Sequence, residues 1–316
     1  MCTLERAVEA VVRECLEVKG GEEVLVISNP ATRALGERLR SESAAVGADA
    51  VLAVMDERAS HAAEPPDALA AAMAASDVVL APTVQSLSHT AARKAASERG
   101  ARIGTLPGVT EDMLARVMSA DMEGLRRKGR ALADALTAAS VARITCPNGS
   151  DLRLGLEGRK AISDAGELSA PGAFGNLPCG EGFIAPVEGS CEGALVVDGS
   201  IAAVGIPDEP VTLTVAAGRL AEATGEAGAR LIELLTEHGP EATTVAELGI
   251  GSNEKAELTG NVLEDEKILG TVHVAFGASA AIGGTVQVPV HLDCVVLKPD
   301  VVLDGAPVVR GGELLV

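Results

Sequence analysis

The chain has 316 residues, enough at roughly 150 residues per domain for about two domains with real cores. Its net charge of −19, from 26 Lys plus Arg against 45 Asp plus Glu, speaks against a phosphate-backbone binder and against docking on anionic lipid. Three Phe with no Tyr or Trp exclude a tyrosine proton donor and leave little for stacking on bases.

The first 140 residues alternate helix and strand signals. Leu4, Ala7, Val8, Val11, Val12, Cys15 and Leu16 fall on one helical face, and Gly20-Gly21 ends that helix. Residues 24–28 (VLVIS) form a short buried-strand run, followed by a helix through Val46 that Gly47 closes. Residues 50–55 are the next strand, 56–67 a polar loop, 68–75 a helix and 77–81 a strand. A helix over 90–99 closed by Gly100, a strand over 102–105 and a Pro107-Gly108 turn complete the pattern. Short apolar strands between helices predict a parallel sheet of βαβ units, a Rossmann-like α/β domain over 1–140. No G-x-G-x-x-G follows the first strand, so a dinucleotide site is not indicated.

Residues 113–139 read as one long helix bridging the domains. From Ala142 the texture changes to Gly, Pro and strand-and-turn signals. Asn148-Gly149, Asp198-Gly199 and Asp304-Gly305 are predicted hairpin turns, and one helix is expected over 218–238, ended by Gly239-Pro240. Residues 141–316 thus read as a strand-rich α+β domain.

Six Cys stand at 2, 15, 146, 179, 191 and 294 without C-x-x-C spacing, which gives a cysteine zinc site no support and reads as reduced thiols. The opening MCTLERAVEA has no leader pattern, and the longest apolar stretch, 68–75, falls far short of the roughly 18 residues a spanning helix needs. A cytoplasmic protein is expected, with neither nucleic acid nor membrane as partner.

Five His are present. His238 stands where it meets the last carbonyls of a helix, and His61 reads as a solvated loop residue. In 286–297 (VQVPVHLDCVVL) His291 and Asp293 share one strand face, with Leu292 and Cys294 on the other. In 270–277 (GTVHVAFG) His273 lies opposite Val272, Val274 and Phe276. Two strand histidines and an aspartate point to a metal, and the set also suits non-heme Fe(II). Glu181 sits in the Gly/Pro-rich loop 176–183 and Glu247 in the short apolar strand 245–249. A cation would offset the cost of burying such acids. A solvent-facing edge strand is an equal alternative for Glu247. The run Glu264-Asp265-Glu266 with Lys267 reads as a solvated turn, and glycines 251, 277, 283 and 284 as tight loops framing the site.

The segments NLPCGEGFIAPVEG, AELGIGSN, TGNVLEDEKILGTVHVAFG and the H-L-D strand resemble the M29 (aminopeptidase T) metallopeptidases, closely over about 170–300 and more loosely at 88–108. The resemblance implies a site of two divalent ions, Zn, Co or Mn, held by Glu181, Glu247, His273, His291 and Asp293. It implies removal of the N-terminal residue of a small peptide through a metal-bound water, and a homodimer. Glu188, Glu192 and Glu264 are candidates for the general base, with Glu188 carried forward. The family's tyrosine falls at Ala280 here, and His89 in the S-L-S-H-T loop is the candidate to replace it. Its alternative role is capping the following helix. The missing tyrosine favours a second reading, the related mononuclear Fe(II) ring-cleaving 2,5-dihydroxypyridine dioxygenases, for which His273, His291 and Asp293 suffice. The presence of both Glu181 and Glu247 favours the first. A non-catalytic metal-binding homologue is the third.

Overall fold

Two compact units divide the chain, Met1–Met122 with Gly166–Cys179, and Glu123–Ala165 with Gly180–Val316. The structure, a computed structural model, describes residues 3–316, so Cys2 lies outside the described residues.

In the first unit α1 (Leu4–Glu9) starts at Thr3, whose hydroxyl accepts from the Arg6 N–H, and continues as a π-helical stretch over Ala10–Cys15. Its expected apolar face is buried from Ala7 to Leu16. The elements β1 (Glu23–Ser28), α2 (Arg33–Val46), β2 (Asp49–Val54), α3 (Asp67–Ala75) and β3 (Val78–Ala81) follow. After them come α4 (Ala91–Glu98), β4 (Arg102–Thr105) and α5 (Glu111–Val117). Gly47 closes α2 at φ 97°, the left-handed conformation that glycine adopts without strain.

The chain then leaves through α6 (Met122–Ala138) and three strands of the second unit, β5 (Val141–Thr145), β6 (Asp151–Gly155) and β7 (Ile162–Asp164). It returns with β8 (Phe174–Asn176) as the last strand of an all-parallel sheet ordered β2-β1-β3-β4-β8. Sequence reading with a single cut at 140 does not contain this return, because three residues carry no readable period. The long helix expected over 113–139 is two helices: the Ser119 hydroxyl donates to the Arg116 carbonyl at 2.6 Å and ends α5. Beyond the end of β1, where such sheets bind ligands, Asn29 ties neighbouring loops together instead. Its amide donates to the Met55 carbonyl at 3.0 Å and accepts from the Val84 N–H at 2.7 Å.

The second unit continues with β9 (Glu181–Ile184), β10 (Glu192–Val197), β11 (Val211–Ala216), β12 (Arg219–Ala223) and α7 (Gly225–Thr236). Then come β13 (Val245–Gly251), α8 (Val262–Asp265), β14 (Val272–Gly277), β15 (His291–Val296), β16 (Asp300–Leu303), β17 (Ala306–Arg310) and β18 (Glu313–Leu314). Two antiparallel sheets result, ordered β12-β11-β10-β6-β5-β16-β17-β18 and β15-β14-β13-β9-β7. They share one core, in which Leu195, Leu213 and Ile144 of the larger sheet meet Leu248, Val274, Phe276 and Cys294 of the smaller. Helix α6 lies against β7 and β9, where Gly129 and Gly182 leave room for close approach.

The fold class is the expected one, with local corrections. Asn148-Gly149 and Asp304-Gly305 do make hairpins, β5–β6 and β16–β17. Asp198-Gly199 does not, because β10 pairs with β11 only after a long connection. Asp198 instead accepts from the Leu297 N–H at 2.8 Å. The helix expected from 218 begins at Gly225, since residues 219–223 pair with β11 as β12. The strand expected from Val286 begins at His291, after Pro289.

Candidate metal centre

One face of the smaller sheet carries the chemistry, and its cross-strand register makes room for it. Opposite Glu247 and Asp293 stands Ala275, opposite His273 stands Gly249, opposite His291 stands Gly277, and opposite Glu181 stands Gly251. Each polar side chain therefore faces a neighbour with at most a methyl group, and the long side chains lean over these gaps. At Gly249 the fit is tightest: an ideal Cβ would lie 1.9 Å from Nε2 of His273, so a side chain there would displace the ring. The other face of the same strands, Leu248, Ile250, Val272, Val274, Phe276, Leu292 and Cys294, is buried in the core. Cys294 thus packs away from the cluster, where burial pushes its thiol well up. Glu247 lies on a central strand, which removes the edge-strand alternative.

The five residues singled out as ligand candidates converge. Nε2 of His273 lies 3.1 Å from Oε2 of Glu181 and 3.3 Å from Oε1 of Glu247. Nε2 of His291 lies 3.4 Å from Oε2 of Glu247 and 3.5 Å from Oδ1 of Asp293. His291 donates from Nδ1 to the Ala278 carbonyl at 2.7 Å, which turns Nε2 to the cluster. Oε2 of Glu181 and Nδ1 of His273 are buried without a hydrogen-bond partner. Burial opposes charge on both imidazoles, yet the carboxylates outweigh it and raise both well above the usual histidine value. Burial would likewise raise Glu247 and Asp293, but the imidazoles hold both below their ordinary range. Two imidazolium protons among acids carry the charge of one divalent cation, so such an ion can replace them with little change in net charge. Donor atoms of Glu247, His273 and Asp293 lie within 4.8 Å of one another, and so do those of Glu181, Glu266 and His273. The donor set fits a metal.

The acidic run beside this site is not a solvated turn. Glu264, Asp265 and Lys267 are fully buried and Glu266 nearly so. Glu264 accepts from the Glu257 N–H at 3.0 Å, and Asp265 from the N–H groups of Thr259 and Gly260 at 2.7 and 2.9 Å. The Lys267 ammonium lies 2.5 Å from Oε1 of Glu181 and 3.7 Å from Oδ2 of Asp164, and it bonds to Glu266. Burial opposes its charge, but these carboxylates outweigh it and raise Lys267 well above its usual value. Burial lifts Asp164 to about 7 and Glu266 to about 8. Sequence reading missed Lys267, Glu266, Asp164 and Gly249. The alternation Glu247-x-Gly249-x-Gly251 was the readable signal for the last.

Glu188 and His89 stand elsewhere. The Glu188 carboxylate pairs with Arg159 and accepts from the Thr285 N–H at 2.8 Å, while Arg159 also donates to the Gly283 carbonyl. Burial is outweighed by these donors, so Glu188 is held below its ordinary value, and its described contacts are to the loop rather than to the cluster. Glu192 accepts from the Ala217 N–H at 2.6 Å. His89 is an exposed residue of the first unit, and the cap of α4 is Thr90, not His89. Ala280, where the peptidases carry tyrosine, is exposed.

Residues 3–316 match the sequence model described as NicX, 2,5-dihydroxypyridine 5,6-dioxygenase. The chain belongs to this family. A 2,5-dihydroxypyridine 5,6-dioxygenase of Pseudomonas putida KT2440 is 27% identical over 225 residues, a match covering 65% of this chain and 59% of that relative's length. The solved structure of 2,5-dihydroxypyridine dioxygenase from Pseudomonas putida KT2440 superposes with a TM-score of 0.87 at 21% identity. It covers 99% of this chain and 96% of that one. Wild-type AmpT from Thermus thermophilus follows at 0.73 and 20% identity, covering 99% of both chains. Likeness to these structures is one of fold. The order in which the sequence reading held its two families is therefore reversed: membership goes to the dihydroxypyridine dioxygenase branch. Among the described residues no helix is long and apolar enough to cross a membrane.

Proposed function

We propose that this protein is an Fe(II)-dependent ring-cleaving dioxygenase acting on a dihydroxylated pyridine-type ring. The observation that carries the reading is the convergence of His273, His291 and Asp293 on one buried face, in a chain that belongs to the dihydroxypyridine dioxygenase family. Those three residues, with Glu247 beside them, would hold the ion: Glu247, His273 and Asp293 form one donor group, and His291 reaches Glu247 and Asp293. Iron held there would supply a redox-active centre for the reaction of the ring with dioxygen.

The chain's own groups do the rest. His291 is oriented by the Ala278 carbonyl, and His273 by the space over Gly249. Glu247, in contact with both imidazoles, is placed to take the proton that a bound phenol gives up. Burial of Glu181, Glu247, His273 and Asp293 limits access of bulk water to the ring. Without a tyrosine in the chain, no phenolic side chain competes for oxidation.

Anaerobic loading with Fe(II), followed by an oxygen-electrode assay with 2,5-dihydroxypyridine, tests the reading. One O2 consumed per ring lost is the expected result, and no uptake with a loaded, folded protein would overturn it. A second reading, the two-ion aminopeptidase, is favoured by one observation: both Glu181 and Glu247 face the histidines. Release of amino acids from small peptides by the Zn-, Co- or Mn-loaded protein would support that reading instead.

A further inference from the structure

Two donor groups meet at His273, and they differ in what already neutralises them. Glu247, His273 and Asp293 form one, and Glu181, Glu266 and His273 the other. The two carboxylates of the first group, Glu247 and Asp293, pair with imidazoles only, among the described ion pairs. The second is built around Lys267, whose ammonium lies 2.5 Å from Oε1 of Glu181, bonds to Glu266 and has Asp164 at 3.7 Å.

We infer that the Lys267 ammonium is a built-in cation standing where a second divalent ion would be bound, so that the centre takes one metal ion. The inference deepens the dioxygenase reading and rests on it for the identity of the metal. Its physical basis is competition for the same oxygens. Lys267 is 0% exposed on a stem fixed between α8 and β14, so its charge cannot swing out to solvent. A divalent ion recruiting Glu181 and Glu266 would have to displace that ammonium or sit beside it in a buried site, where like charges repel strongly. Oε2 of Glu181 remains without a hydrogen-bond donor and is aimed at His273. Glu181 thus links the fixed cation to the metal side of the cluster. A chain can in this way keep both Glu181 and Glu247 and still hold one ion.

Lys267→Met, which keeps the stem and removes the charge, is the test, with Lys267→Arg as its charge-keeping control. Metal-free samples are dialysed anaerobically against Fe(II) or Mn(II), and bound metal is counted by elemental analysis. The Mn(II) samples are also examined by electron paramagnetic resonance, which separates an isolated ion from a spin-coupled pair. The expected result is one equivalent in the parent and in Lys267→Arg, rising to two with a coupled Mn(II) signal in Lys267→Met. Where Lys267→Met does not fold metal-free, Mn(II) is expected to restore it with two equivalents bound. The double variant Glu181→Gln/Lys267→Met, lacking the acid as well, should return to one.

Two equivalents in the parent, one in folded Lys267→Met, or failure of Mn(II) to restore that variant would overturn the inference. Ring cleavage is scored separately on the parent. A parent that binds one ion but oxidises no ring sinks the dioxygenase reading alone. A ring-cleaving parent whose Lys267→Met variant still binds one ion sinks only the role given to Lys267.

Discussion

Replacing Glu188 by Gln separates two roles for this residue, the general base expected from the sequence and the loop clamp suggested by its contacts. Glu188 joins Arg159 to the Thr285 N–H, and Arg159 reaches on to the Gly283 carbonyl, so the pair holds the loop between β14 and β15. That loop carries the Ala278 carbonyl, which orients His291 at 2.7 Å. Their side chains are 26% and 15% exposed, so the pair is partly screened. Glutamine keeps an acceptor for Thr285 but loses the charge, at a cost of about 1–2 kcal/mol. Thermal unfolding should register that as a fall of roughly 2–4 °C per kcal/mol. Loosening the support of His291 should weaken metal binding by about 10-fold, at the low end for an outer partner of a ligand. Differential scanning fluorimetry, a metal-competition titration and turnover at saturating metal together read the three effects. The clamp predicts a lower Tm, weaker metal binding and activity recovered by excess metal. A loss of kcat beyond about 100-fold, with Tm and metal affinity unchanged, is the signature of a base and would refute the clamp.

Gly249→Ala puts a methyl group 1.9 Å from Nε2 of His273, so the ring must leave its place. Loss of bound metal with the fold retained is expected by elemental analysis and circular dichroism, and normal metal content would contradict the packing argument. His273→Ala removes the donor common to both groups and should lower metal affinity by more than the roughly 100-fold seen for outer-shell partners. Metal-free protein should lose stability as the pH rises. Folding lifts Asp164 from 3.8 to about 7 and Glu266 from 4.5 to about 8, so the folded state binds the extra protons. That contribution is complete below the unfolded values and is lost as the pH passes the folded ones, so Tm should fall between roughly pH 5 and 8. Metal affinity should rise over the same window, because the ion displaces protons from His273 and His291. A flat metal-free Tm across that range would count against the protonated cluster.

Much of the fold was legible because burial writes a period into the chain. The VLVIS run, the helix closed by Gly47 and the opposed faces of 272–276 all follow from alternation or a 3.6-residue repeat. Where two periods fit equally, the sequence misled: RLAEA at 219–223 suits a helix locally, yet pairing with β11 makes it a strand. Glu264-Asp265-Glu266-Lys267 misled for another reason. Charged residues read as solvated unless their partners are known, and these are backbone N–H groups of 257–260 and acids distant in the chain. Candidate ligands were readable because an acid or imidazole on an otherwise apolar strand has little reason to be there. Glycines facing them were not, since a missing side chain becomes meaningful only once the cross-strand register is known.

Isotope labelling separates dioxygenation from hydrolysis. Fe(II)-loaded protein is incubated with 2,5-dihydroxypyridine under ¹⁸O2, and the product mass is measured. Both labelled oxygen atoms are expected in the ring-opened product. An unlabelled product, or label arriving only from H2¹⁸O, would mean hydrolysis and would overturn the assignment as a dioxygenase.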